Sequence, residues 1–141
     1  MTRFLPEVSF YMSKLIKEIP LSNGLTVRFF DASRRYFGDY HQVRVKISCD
    51  VPLTPDLFQD EASYEAAQRL FGARVSYQKE IEHQGVAGAS VEETVDRVIA
   101  HFVEHSLDYF SGSGFPKKLA QAELVKAQGR KRAFVPRGDH G

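Results

Sequence analysis

Hydrophobic and polar side chains alternate along the N-terminal half of the chain. Over residues 40–49 the alternation is strict, with one largely apolar set of positions and one polar or basic set. The first set is His41, Val43, Val45, Ile47 and Cys49, and the second is Tyr40, Gln42, Arg44, Lys46 and Ser48. Shorter alternating runs flank Asn23-Gly24, a pair that favours a tight turn. The pattern predicts a hairpin with strands near 15–21 and 25–31, followed by a third antiparallel strand with one buried face.

The C-terminal half changes to the spacing typical of helices. Helices are predicted over about 59–71, from 90 to about 110, and from 116 to about 128, with a fourth strand near 73–83 between the first two. The element order is then β-β-β-α-β-α-α. This order indicates an α+β fold with two layers, in which helices pack on one face of a four-stranded antiparallel sheet. Residues 32–39 and 83–89 are expected to be loops.

The length of 141 residues favours a single domain. We expect that domain to span residues 14–129. Residues 1–13 form an N-terminal segment that the pattern does not assign. Residues 130–141 are basic and are predicted to form a flexible tail.

Composition restricts the classes of function. The formal net charge is +1, so a basic partner surface would have to be local rather than global. Cys49 is the only cysteine, which indicates a reducing compartment. The chain contains no apolar run of roughly 18 residues and does not begin with a signal-peptide pattern. We therefore expect a soluble cytoplasmic protein with no membrane partner.

One motif carries potential chemistry. His101-Phe102-Val103-Glu104-His105 has the histidine and glutamate spacing of inverted zinc peptidases. The segment Ala100–His105 resembles the active helix of the pitrilysin/insulinase peptidases, and Leu21–Val27 is similar to the opening hairpin of that family. The resemblance implies that His101 and His105 would bind zinc and that Glu104 would be the general base of a metal-dependent hydrolase.

The rest of the chain departs from that pattern. The family requires a third ligand, a glutamate far downstream, and after Asp108 the only acidic residues are Glu123 and Asp139. At 100° per residue, the valine and phenylalanine positions of this helix form one stripe. His101 and Glu104 lie away from the stripe, and His105 lies on its flank. We therefore commit to no metal ligand, no cofactor and no catalytic residue, and expect a non-enzyme.

The polar face of the sheet is the better candidate site. Cationic and aromatic residues are interleaved there and in the following loop, namely Arg28, Phe30, Arg34, Arg35, Tyr36, Phe37, Tyr40, Arg44 and Lys46. Exposed aromatic residues favour a protein-interaction or assembly module, with an unknown protein partner or self-association. The same composition suits nucleic acid or another anionic partner, which is the alternative. Gly85-Val86-Ala87-Gly88 is interpreted as a flexible connection, with an anion cradle as its alternative.

Overall fold

The elements of the fold were obtained from a computed structural model that describes residues 13–140, with side chains described for residues 13–129. Of the N-terminal segment 1–13, which the sequence pattern does not assign, residues 1–12 lie outside the described residues. The elements are β1 (Lys14–Pro20), β2 (Thr26–Asp31), β3 (Arg34–Phe37), β4 (Tyr40–Pro52), α1 (Glu61–Phe71), β5 (Arg74–Ala87), α2 (Val91–Ser111) and α3 (Phe115–His140). The predicted α+β class is confirmed, and the antiparallel sheet has five strands rather than four.

The sheet is built around β4. Strand β1 pairs with β2, and β2 pairs with β4 through Val27↔Cys49 to Asp31↔Val45. Strand β3 pairs with the beginning of β4 through Arg34↔Gln42, so it continues the line of β2. The backbone N–H of Ala32 donates to the carbonyl of Arg44 at 2.8 Å, so hydrogen bonding to β4 continues between β2 and β3. Strand β5 also pairs with β4.

Two segments predicted as loops are strands. The predicted loop 32–39 contains β3, and the predicted loop 83–89 is largely the end of β5. Both are largely exposed and lack the alternation of apolar and polar residues by which a half-buried strand is recognised. Their backbone groups are satisfied by pairing with β4, which does not require apolar side chains.

Backbone contacts divide the chain into two compact units. Among the described residues, the sheet unit comprises 13–49 together with Gln78–Ser111. Its core contains the predicted apolar positions of β4 from Val43 onward, with Val43, Val45 and Ile47 buried, whereas His41 is only half-buried and Gln42 of the polar set is buried. Helix α2 buries the stripe that the periodicity predicts, and the rings of Phe102 and Phe29 meet edge to face with centroids 5.7 Å apart.

The second unit, called the helix-pair unit, comprises Asp50–Tyr77 and the chain from Gly112 onward. Asp60 caps α1 by accepting from the backbone N–H of Ser63 at 2.8 Å, and this bond lowers the pKa of the Asp60 carboxyl. Gly72 ends α1 with a φ of 80°, as predicted for a glycine cap. In α3, Gln121 donates to the carbonyl of Leu57 at 2.9 Å.

Helix α3 continues to His140, beyond the end predicted near residue 128. Gly129 lies directly after the predicted end, but a single glycine inside a helix costs only about 1 kcal/mol. Across residues 13–140, no helix combines the length and the apolar composition that crossing a membrane requires.

The burial of α2 leads to a test of its orientation. Replacing Phe102, which is buried against Phe29, should lower the free energy of unfolding by about 3–5 kcal/mol in the variant Phe102→Ala, because a cavity replaces a core ring. The neighbouring exposed residue gives the matched control, His101→Ala, with an expected change below roughly 0.5 kcal/mol. Urea unfolding measures both. Equal losses for the two variants would contradict this orientation.

Candidate functional site

The hairpin formed by β3 and β4 presents the most exposed aromatic residues of the sheet. Phe37 and Tyr40 are register partners on either side of the two-residue turn Gly38-Asp39. Gly38 has a φ of 54°, a conformation that favours glycine. A glycine followed by aspartate is one of the pairs that form such turns, so this signal was present in the sequence. The sequence interpretation assigned the segment to a loop instead.

Three aromatic residues form the surface that we call the aromatic tip: Tyr36, Phe37 and Tyr40. Their exposed fractions are 50%, 72% and 52%. The register shifts between Arg35 and Phe37, which leaves Tyr36 at a bulge. The tip residues are therefore directed outward by the hairpin rather than packed on the core.

The turn is fixed by the connection between β5 and α2. The backbone N–H of Gly88 donates to the carbonyl of Asp39 at 3.1 Å and lies 3.2 Å from its carboxylate Oδ2. The ring Nδ1 of His41 lies 3.1 Å from the same carbonyl. A Cβ atom at Gly88 would lie 2.6 Å from Asp39 Oδ1, so only glycine allows this approach without a shift. The Gly88 amide is thus engaged within the protein, which weakens the anion-cradle alternative.

Two arginines lie at the base of the aromatic tip. Arg34 and Arg35 are both exposed, and their register partners in β4 are Gln42 and His41. Arg34 Nε donates to Gln42 Oε1 at 3.4 Å. The tip therefore combines aromatic rings with positive charge, as the sequence interpretation expected for this segment.

The arginines on the strands themselves are already paired. Arg28 Nε lies 2.8 Å from Glu18 Oε2. Arg44 Nε lies 2.5 Å from Glu80 Oε2 and 3.4 Å from Glu82 Oε2. Carboxylates on both flanking strands thus offset the positive charge along the middle of the sheet face.

The Glu18–Arg28 pair depends on the length of the β1–β2 turn. A two-residue turn at Asn23-Gly24 would pair Glu18 with Phe29. In the structure the connection is Leu21–Leu25, Leu21 donates to the carbonyl of Leu25 at 2.7 Å, and Glu18 faces Arg28. A shift of one residue in register exchanges the two faces of a strand, so the turn determines which side chains meet.

The remaining sheet-face candidates are Phe30 and Lys46. They are register partners on β2 and β4, and both are half-buried. Phe30 also faces Leu15 of β1. Phe30 is therefore flanked by neighbouring side chains and contributes less exposed surface than the aromatic tip.

The zinc-peptidase motif lies on the solvent side of α2. The rings of His101 and His105 have centroids 4.3 Å apart, and His105 Nε2 lies 3.9 Å from Glu104 Oε1. The side chains of His105 and Glu104 are 57% and 77% exposed. No group of three or more histidine, cysteine, aspartate or glutamate residues in the described chain could hold a metal ion. The third ligand that a catalytic zinc site requires is thus not found in the described part.

Comparison with known proteins gives no functional information: no protein-family model, no curated protein and no solved structure matches this chain. The likeness to the pitrilysin/insulinase peptidases therefore depends on the two short segments alone.

The contact between Gly88 and Asp39 generates a prediction. Gly88→Ala should lower the free energy of unfolding by about 1 kcal/mol, because the new methyl group would lie 2.6 Å from Asp39 Oδ1 and must displace the carboxylate that accepts from the Gly88 amide. Urea unfolding gives the energy, and the amide chemical shifts of Gly38 and Asp39 report the displacement.

Gly114→Ala is the matched control, since a Cβ atom there meets nothing within 4 Å. Its expected change is within roughly 0.5 kcal/mol. Unchanged Gly38 and Asp39 shifts in Gly88→Ala would show that the turn does not depend on this contact.

Proposed function

We propose that this chain is a non-catalytic protein-interaction or assembly module that acts through the aromatic tip. The observation that carries the proposal is the exposure of Phe37, Tyr40 and Tyr36 on one hairpin, at 72%, 52% and 50%. We further propose that it works in the cytoplasm, which is supported by its single cysteine, fully buried Cys49.

Aromatic side chains in this position are suited to binding a protein. Complete burial of a phenylalanine side chain stabilises a complex by about 1.5–3 kcal/mol. Interface residues that dominate binding energy are enriched in tyrosine and cluster in small groups. The tip is also held in place by the Gly38-Asp39 turn and by Gly88. Such a surface loses little conformational freedom when it binds, which favours affinity.

The charges near the tip indicate the chemistry of the partner. Arg34 and Arg35 are exposed beside the aromatic residues. A complementary protein surface would therefore have an apolar centre with acidic residues at its edge. A second copy of this chain satisfies the acidic part, because the exposed face of α2 carries Glu104 and Asp108.

The tip supplies the first functional test. The double variant Phe37→Ser/Tyr40→Ser should weaken self-association, or binding to a protein partner, at least tenfold, because two buried rings are lost. Sedimentation velocity from micromolar to millimolar concentration measures self-association. Cross-linking in the native host followed by mass spectrometry measures partner binding. Proteins that are cross-linked to the unchanged chain should no longer be identified with the double variant.

Val125→Ser is the control, since Val125 is an exposed apolar residue at 67% on α3, away from the tip in sequence. It should leave both readouts unchanged. A strict monomer at every concentration, together with identical cross-linked partners for all three proteins, would refute the proposal.

Nucleic-acid binding is the second candidate, and one observation favours it. In the described part of the chain, neither Arg35 nor Lys46 has a carboxylate within ion-pair distance. These cations and the aromatic tip could contact phosphates and stack with bases of a single strand. The ion pairs of Arg28 and Arg44 are the reason that this candidate ranks second.

Fluorescence anisotropy with a labelled single-stranded oligonucleotide tests the second candidate. Affinity should fall steeply as salt rises, and Arg35→Glu/Lys46→Glu should abolish it, because fewer counterions are released. Lys117→Glu/Lys118→Glu, at two exposed sites on α3, makes the same change in net charge and is the control. Equal affinities for the double variant and the control would show that this face of the sheet does not bind the oligonucleotide.

A further inference from the structure

The exposed face of α2 contains a pair of imidazoles that neither of the proposed functions uses. His101 and His105 are four residues apart in a regular helix, so both project from the same side. Their ring centroids are 4.3 Å apart. Both side chains are exposed, so a dissolved ion reaches them without any movement of the core.

We propose that His101 and His105 form a two-imidazole chelate for a divalent first-row transition ion, with copper, nickel and zinc as the members of the class. Histidine nitrogen suits these ions, whereas magnesium and calcium prefer oxygen ligands. The site is a surface chelate and performs no hydrolysis. The aromatic tip contributes no ligand to it.

The spacing of the rings fits the chelate. A metal ion about 2.0–2.1 Å from one nitrogen of each ring, with roughly a right angle between the two bonds, places the ring centroids on the order of 4.5 Å apart. The observed 4.3 Å is close to this separation. Small rotations about the side-chain bonds are therefore enough to bring both nitrogens to the ion.

The surroundings attract a cation without completing its coordination. Glu104 Oε1 lies 3.9 Å from His105 Nε2, and Asp108 follows one turn later on the same exposed helix surface. Their negative charge raises the local concentration of cations. Residues 13–129 bring no third ligand into the group. Water molecules fill the remaining positions, so the affinity depends on both imidazoles at once.

Titration of the tag-free full-length chain with nickel chloride tests the proposal. Isothermal titration calorimetry should show saturable binding, and the imidazole NMR signals of His101 and His105 should broaden selectively with substoichiometric copper. His101→Asn and His105→Asn should each weaken binding at least tenfold. Magnesium chloride should give no heat of binding. Acidic buffer should abolish nickel binding, because a protonated imidazole has no lone pair for the metal.

His83→Asn is the matched control, because His83 is an exposed histidine on β5 outside the pair. It should bind nickel as the unchanged chain does. The double variant Phe37→Ser/Tyr40→Ser should also bind normally. Equal loss of affinity in His83→Asn and His101→Asn, or copper broadening that does not favour the α2 pair, would overturn the proposal.

Discussion

The packing of α2 on the buried face of the sheet is the contact on which the other features of the sheet unit depend. Phe102 meets Phe29 edge to face, and Val95, Val98 and Ile99 are buried along the same stripe. Once this stripe is buried, a side chain about 100° from it around the helix, such as His101, must point to solvent, and His105 on the flank of the stripe also remains exposed. The exposure of the two imidazoles is therefore a consequence of the hydrophobic contact. The same burial leaves the opposite face of the sheet, with its charged residues, uncovered by α2.

The sequence was sufficient to identify the elements that have an apolar side. The alternation over residues 40–49 corresponds to β4, and the valine and phenylalanine stripe corresponds to the buried side of α2. Both patterns are strong because each element has one face in the core and one in water. Strand β3 and the end of β5 have no such contrast, since every residue of β3 is exposed. Their strand structure comes from backbone pairing with β4, which leaves no periodic signal in the side chains.

The candidate site was predicted as a set of residues but not as a geometry. All nine residues belong to β2, β3 or β4, yet they do not form one continuous cationic face. Arg28 and Arg44 are paired with carboxylates on β1 and β5, whereas Arg34 and Arg35 remain beside exposed rings. Which arginine meets a carboxylate depends on strand register, and register follows from turns. The five-residue β1–β2 connection and the two-residue Gly38-Asp39 turn each set a register that composition does not reveal.

The exposure of the aromatic residues is informative about binding because the backbone of the β3–β4 hairpin is held in place. A phenylalanine in a mobile loop can turn toward its own protein, and its exposure then says little about binding. Phe37 is opposed to Tyr40 across a two-residue turn, and that turn is bonded through Asp39 to the Gly88 amide. The backbone therefore directs Phe37 outward, and at 72% exposure its apolar surface remains in water. Burial of that surface by another molecule would be favourable, and this is the physical basis of the proposal that the hairpin is a docking element.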